Sequence, residues 1–196
     1  MPSLSAAGTT PQRAELFALA AAQGGYFTQK QAQALGYSPQ LVRYYVQDGL
    51  FERAARGILR LTHFPPADRE DLTLASLWSD GEGVFSHETA LELHGLSDAL
   101  PSHITMTLPR AWRGRRLRTP ERLELRYAEL PDADITWYGA LHVTTPQRTL
   151  YDCVVDHVSD ELIEQARTQG IASGLFTRGE ARSILHRAKR ERDGKP

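Results

Sequence analysis

The sequence predicts an α+β protein, with three short helices and a hairpin at the N-terminus followed by a mixed α/β body. Two observations predict it. Helix-start and helix-stop signals recur three times within the first 50 residues. Beyond residue 66, helical apolar patterns interleave with alternating runs such as Ile104-Thr105-Met106-Thr107-Leu108. The composition fits: of 196 residues, 41% are hydrophobic and 24% charged, a globular mixture long enough to bury a core. At roughly 150 residues per domain, this length suits one large domain or two small ones.

Thr10-Pro11 reads as the N-cap and first residue of helix one, with Leu16, Phe17, Leu19 and Ala20 as its apolar face and Gly24-Gly25 as its stop. Thr28 opens the second helix, and Gln31 three residues later completes a capping box; Gly36 ends it. Ser38-Pro39 opens the third as N-cap and N1, with Tyr37 and Val42 placed for a hydrophobic staple and Gly49 as the end. Leu50-Phe51-Glu52-Arg53 and Ile58-Leu59-Arg60-Leu61 read as two short strands around a small turn. Helix, short helix, three-residue turn, helix and hairpin is the order of a winged helix-turn-helix. His63-Phe64-Pro65-Pro66 punctuates its end, so the expected domains are 1–66, a winged helix-turn-helix, and 67–196, a mixed α/β domain.

In the second part, Asp68 to Trp78 carries a helical pattern, and Ser86 is placed to cap another helix that runs to Gly95. Ile104 to Leu108, Leu123 to Tyr127, Ile135 to Tyr138 and Leu141 to Thr144 read as strands. Thr145-Pro146 starts a helix through Leu150, Cys153 and Val154, and two more are expected near 159–169 and 178–191.

The third helix carries the candidate chemistry. At about 100° per residue, Leu41, Val42, Tyr45 and Val46 share one arc, while Gln40, Arg43, Tyr44 and Gln47 share the other. Amides and guanidinium groups read base edges, Gln on adenine and Arg on guanine. Tyr44 is placed for a phosphate or a sugar. The second helix would cross the DNA backbone, with Thr28, Gln29 and Lys30, and Ser38 at the next cap, near phosphates. Arg53, Arg56 and Arg60 put positive charge along the wing. Two blander readings stand beside this one: any amphipathic surface helix has a polar face, and winged helices also serve as protein-interaction modules that bind no DNA.

Several segments carry a resemblance. Gly25-Tyr26-Phe27-Thr28, Ala32, Leu35-Gly36-Tyr37-Ser38, Leu41-Val42, Gly49, Gly57-Ile58 and Leu61 resemble the N-terminal domain of the AbiEi antitoxins of type IV toxin–antitoxin systems. Ser86-His87-Glu88-Thr89-Ala90-Leu91 with His94-Gly95-Leu96, the strand Ile104 to Leu108 with Pro109, and Val143-Thr144-Thr145-Pro146-Gln147-Arg148-Thr149-Leu150-Tyr151-Asp152 resemble later parts of that family, in the same order. The resemblance implies a cytoplasmic repressor-antitoxin. Its winged helix would bind inverted repeats of double-stranded DNA in its own promoter, and its C-terminal domain would neutralise a nucleotidyltransferase toxin encoded beside it. A regulator of the same fold without a toxin partner is the alternative. Some similar chains continue into a restriction-endonuclease-like domain after the segment like Glu161 to Phe176; the expectation here is a chain without one.

Catalytic signatures are sparse, and neither enzyme chemistry nor a cofactor is expected. The seven histidines form no His-x3-His or His-Glu-x-x-His pattern, so no metal site is expected. His87 and His94 share a face of one expected helix, with His94 as a cation at its C-terminal end. Arg148 and Asp152 are spaced to pair, and Cys153 lies in an apolar stripe. There is no phosphate-binding loop, no Gly-x-Ser-x-Gly, and no Gly-Ser with Asp-x-Asp of a nucleotidyltransferase. One cysteine allows no intrachain disulfide, which fits a reducing cytosol. No apolar run reaches membrane-spanning length, and MPSLSAAGTT reads as a loose arm with no features of a signal peptide.

The net charge of −1 divides into blocks. Residues 1–66 carry +3, 67–109 carry −7, 110–126 carry +5, 127–177 carry −6 and 178–196 carry +4. A near-neutral total is therefore compatible with a DNA-facing domain. In the central basic block, Arg110, Trp112, Arg113, Arg115 and Arg116 read as an exposed loop able to contact a protein partner or DNA flanking the site.

Overall fold

The computed structural model describes residues 11–66, 68–98 and 101–194. The N-terminal arm, with Thr10 as a helix cap, lies outside them. The chain divides into two compact units, Met1–Trp78 and Ser79–Pro196.

Unit one contains α1 (Arg13–Ala22), β1 (Tyr26–Thr28), α2 (Gln29–Ala34), α3 (Pro39–Gln47), β2 (Phe51–Ala55), β3 (Ile58–Leu61) and α4 (Glu70–Trp78). Helix α1 starts later than the sequence suggests: Gln12 is its N-cap, without a side-chain cap bond. The strands form an antiparallel sheet in the order β1-β3-β2. Strand β1 was not expected. All three of its residues are buried, so it shows no alternation, and Gly24-Gly25 at φ 64° and 90° turn the chain into it. A Cβ on Gly25 would stand 2.7 Å from the Phe64 ring, so this position needs glycine twice over.

The sheet is covered on both faces. Phe27, Phe51 and Leu59 pack with Leu16, Ala20, Ala32 and Val42 from the three helices and Tyr37 from the turn before α3. Tyr26 and Ile58 point the other way and pack with Leu77 of α4. That second contact moves the boundary expected at residue 66: α4 belongs to the winged unit because it covers the back of the unit's sheet.

Unit two contains β4 (Val84–Phe85), α5 (His87–Leu93), β5 (Ile104–Leu108), β6 (Leu123–Tyr127), β7 (Ile135–Tyr138), β8 (Leu141–Thr144), α6 (Pro146–Val155), α7 (Asp160–Ala172) and α8 (Arg178–Arg192). Its mixed sheet has the order β6-β5-β4-β8-β7. β4 pairs antiparallel with β5 and parallel with β8, while β5 and β6 run parallel. The central β4 escapes a sequence reading because it is two buried residues long. Leu91, Leu150, Cys153, Val154, Ile163, Phe176 and Ile184 join α5, α6, α7 and α8 in one core. Gly170 lets the Phe176 ring lie where its Cβ would be, at 2.2 Å.

Candidate nucleic-acid interface

Helix α3 is fixed before it presents anything. Ser38 Oγ accepts from the Leu41 amide at 3.2 Å, Pro39 sets the first turn, and Tyr37 and Val42 are buried in the same core. Leu41, Tyr45 and Val46 lean on that core, with the Tyr45 ring 5.2 Å from Phe51. The opposite arc, Gln40, Arg43, Tyr44 and Gln47, is exposed. Tyr44 is 56% exposed, with its ring edge-on to Tyr45 at 5.6 Å. Arg43 pairs with no acid among the described residues. This face is rigidly seated and chemically unspent.

The flanking elements divide more sharply than the sequence suggests. Lys30 is exposed on α2, and Gln29 is half-buried, its amide donating to Gly57 O at 2.8 Å. That bond ties the start of α2 to the wing turn. Thr28 is buried, and its Oγ1 accepts from the Gln31 amide at 3.0 Å while Gln31 Oε1 accepts from the Thr28 amide at 2.8 Å. Thr28 is thus buried in its capping box, whereas Ser38 is exposed, its oxygen accepting in the cap and its O–H left to donate.

On the wing, Arg53 and Arg56 are exposed and meet no acid among the described residues. Arg60 differs. It lies beside Tyr26 and Glu52 in the strand register, on the face covered by α4. Its guanidinium donates to Glu52 Oε1 at 2.7 Å and to Phe64 O at 2.7 Å, and stands 5.6 Å from the Tyr26 ring centre. The Glu52 hydrogen bond raises its pKa further, and burial with a bond to Glu70 pushes the Tyr26 hydroxyl up to about 12. Arg60 holds the wing's root together; the wing's outward charge is that of Arg53 and Arg56.

In unit two, Arg110–Trp112 form a short 3-10 turn instead of an open loop. The Arg110 amide donates to Glu129 at 3.0 Å, and the Arg115 guanidinium lies over the Trp112 ring at 4.5 Å. Trp112 is half-buried, while Arg110, Arg113, Arg115 and Arg116 are exposed. Two further aromatics went unremarked in the sequence. Trp137 and Tyr138, 62% and 43% exposed, stand on the β7–β8 hairpin at the edge of the sheet, with His142 4.0 Å from Trp137. Their signal was the Trp-Tyr-Gly-Ala turn, which an alternation reading places in the core.

One cluster has the order of a hydrolytic relay. Ser86 Oγ lies 2.9 Å from His87 Nδ1, and His87 Nε2 lies 3.1 Å from Asp156 Oδ2. Ser86, however, is fully buried and hydrogen-bonds Thr107 Oγ1 at 2.8 Å, which also explains why it does not cap α5. Through these bonds Ser86 and His87 tie the β4 end to β5 and to Asp156 at the C-cap of α6. The histidine bond and the nearby Arg126 lower the Asp156 pKa. His94 corrects the helix-end cation: its Nε2 donates to Thr144 O at 2.7 Å, and burial lowers its pKa, favouring the neutral ring. Arg148 pairs with Asp152 at 2.7 Å and Asp134 at 2.8 Å, and Cys153 is buried with its thiol pKa raised. Among the described residues, no group of three or more His, Cys, Asp or Glu could hold a metal ion. No helix among them is long and apolar enough to cross a membrane.

Residues 14–62 match the family model described as "Transcriptional regulator, AbiEi antitoxin". The match lies within unit one and spans α1 to the wing. No curated protein matches the chain. Among solved structures, the crystal structure of the RV2827C protein from Mycobacterium tuberculosis is 15% identical and covers 94% of this chain and 85% of that one, with a TM-score of 0.47.

Proposed function

We infer that this protein represses its own promoter and neutralises a nucleotidyltransferase toxin, a reading supported by the match of residues 14–62 to the AbiEi antitoxin model of transcriptional regulators. The carrying observation is α3: a capped, core-seated helix whose outer arc is Gln40, Arg43, Tyr44 and Gln47. In winged helices, the helix in this position enters the major groove. Arg53 and Arg56 supply the wing's phosphate contacts, with Lys30 and the backbone at the start of α2 beside the neighbouring strand. Inverted repeats would then be read by two copies.

The toxin arm draws on unit two. Its exposed Trp137 stands on the β7–β8 hairpin against His142, whose Nδ1 lies 3.3 Å from Gly81 O, between Asp80 and Glu82 in the sequence. An exposed aromatic anchor at a sheet edge suits a protein surface.

A mobility-shift titration on the protein's own promoter tests the first arm. Binding that favours the promoter over a scrambled fragment and weakens steeply with salt is the expected result; no preference at low salt overturns it. Gene neighbourhood and co-expression test the second. An adjacent nucleotidyltransferase gene whose toxicity this protein relieves supports the antitoxin role. Its absence favours a stand-alone regulator.

A further inference from the structure

Strands β5 and β6 are adjacent and parallel, paired from Ile104↔Leu123 to Leu108↔Tyr127. The chain must therefore cross back between them through residues 109–122. Such a crossover is usually a helix whose apolar side packs on the sheet. Here it is the 3-10 turn Arg110–Trp112 followed by turns, with the Arg113 amide on Arg110 O at 3.0 Å and the Arg115 amide on Trp112 O at 3.1 Å. Half-buried Trp112 and Leu117 seat it. The fold demands a connection of this length; it does not demand its arginines.

Residues 110–126 contain seven arginines and no lysine. Some serve the fold. Arg122 Nε donates to Ser102 O at 2.9 Å, and Arg126 pairs with Glu124 at 2.9 Å and Asp156 at 3.7 Å. Arg110, Arg113, Arg115 and Arg116 are exposed, and their guanidinium groups pair with no acid among the described residues, the Glu129 carboxylate reaching only the Arg110 backbone amide. Stacking on Trp112 already restrains the Arg115 guanidinium, so it gives up less freedom on binding. Planar, outward guanidinium forks on a turned, anchored loop match phosphate oxygens.

We propose that this crossover loop is a second phosphate-backbone contact, gripping the duplex that flanks the operator. The proposal rests on the DNA reading of unit one, where Arg43, Arg53 and Arg56 are likewise exposed and unpaired by acids among the described residues. An acidic protein surface is the other occupant such a loop could take, and the experiment separates the two.

The full chain is titrated with its promoter fragment in two lengths, one trimmed to the footprint and one extended by about one helical turn, roughly 10 base pairs, on each side. Wild-type protein should bind the longer fragment about tenfold more tightly at low salt, with a steeper salt dependence. The quadruple variant Arg110→Gln, Arg113→Gln, Arg115→Gln and Arg116→Gln should lose that gain, its log–log salt slope falling by about 0.9 for each phosphate contact removed. Replacing the same four by Lys should keep most of the slope, because the charge remains. Unchanged circular dichroism and thermal unfolding of the Gln variant would show that the loop, not the fold, was altered. Equal binding of both lengths by the wild type, or a Gln variant that keeps the gain, overturns the inference, the latter result being expected of a loop that serves an acidic protein; both leave the operator reading of unit one standing. A wild type without promoter preference overturns both.

Discussion

Two surfaces of the molecule present exposed arginines whose guanidinium groups pair with no acid among the described residues, and they are built in opposite ways. The α3 face rests on a capped helix over buried aromatics: Phe51 lies 5.0 Å from Phe27 and 5.2 Å from Tyr45. The 109–122 crossover rests on Trp112 and Leu117, both half-buried, with no regular helix beneath. Reading a base edge needs donors held to within a fraction of an ångström. Holding a phosphate needs charge in roughly the right place. The rigid platform therefore suits readout and the shallow one suits grip.

Undermining each platform should give the largest difference. Phe51→Ala opens a cavity under α3 and should cost unit one about 3–5 kcal/mol, with loss of promoter binding as that unit unfolds. Trp112→Ala should cost about 1 kcal/mol and leave promoter preference intact. Chemical denaturation and a binding titration on both variants check this; equal destabilisation would erase the contrast.

Next comes the contrast between cations. Arg56→Ala, at the wing turn, should weaken binding to promoter and scrambled DNA alike and reduce the salt slope by about one. Arg60→Ala should act mainly on stability, because Arg60 bridges Glu52 and Phe64. Thermal melts beside salt-dependent titrations separate the two effects.

A smaller effect belongs to the cap. Ser38→Ala removes the acceptor for the Leu41 amide and should cost about 1 kcal/mol, visible as faster hydrogen exchange at that amide. The smallest concerns pH in unit two. Burial holds the His94 pKa below its ordinary 6.5, so below that value the unfolded chain binds a proton that the folded ring resists. Stability is therefore intact above pH 6.5 and declines as pH falls through it. His94→Gln keeps a donor for Thr144 O without titrating, so its melting temperature should drop less than the wild type's between pH 7.5 and 5.5.

Much of this architecture was legible where the signal is local. The Thr28–Gln31 box, the Ser38-Pro39 start, the Thr145-Pro146 start and the four strands from Ile104 to Thr144 all stand as their residues suggest. Tyr26–Thr28 and Val84–Phe85 were not legible, since strands of three and two residues buried on both faces have no period to detect. The fate of Arg60 was hidden for another reason. Arg53, Arg56 and Arg60 look alike in sequence, and only the strand register places Glu52 and Tyr26 beside Arg60. Asp156 likewise meets His87 only through the packing of α6 against α5.

The central claim is that α3 reads the operator, and Arg43→Ala tests it most directly. Binding of wild type and variant is measured on the promoter fragment and on a scrambled one at the same salt. A base contact predicts that the variant loses about 1–3 kcal/mol of discrimination, most of it on the promoter, with stability unchanged. Equal losses on the two fragments would contradict the claim.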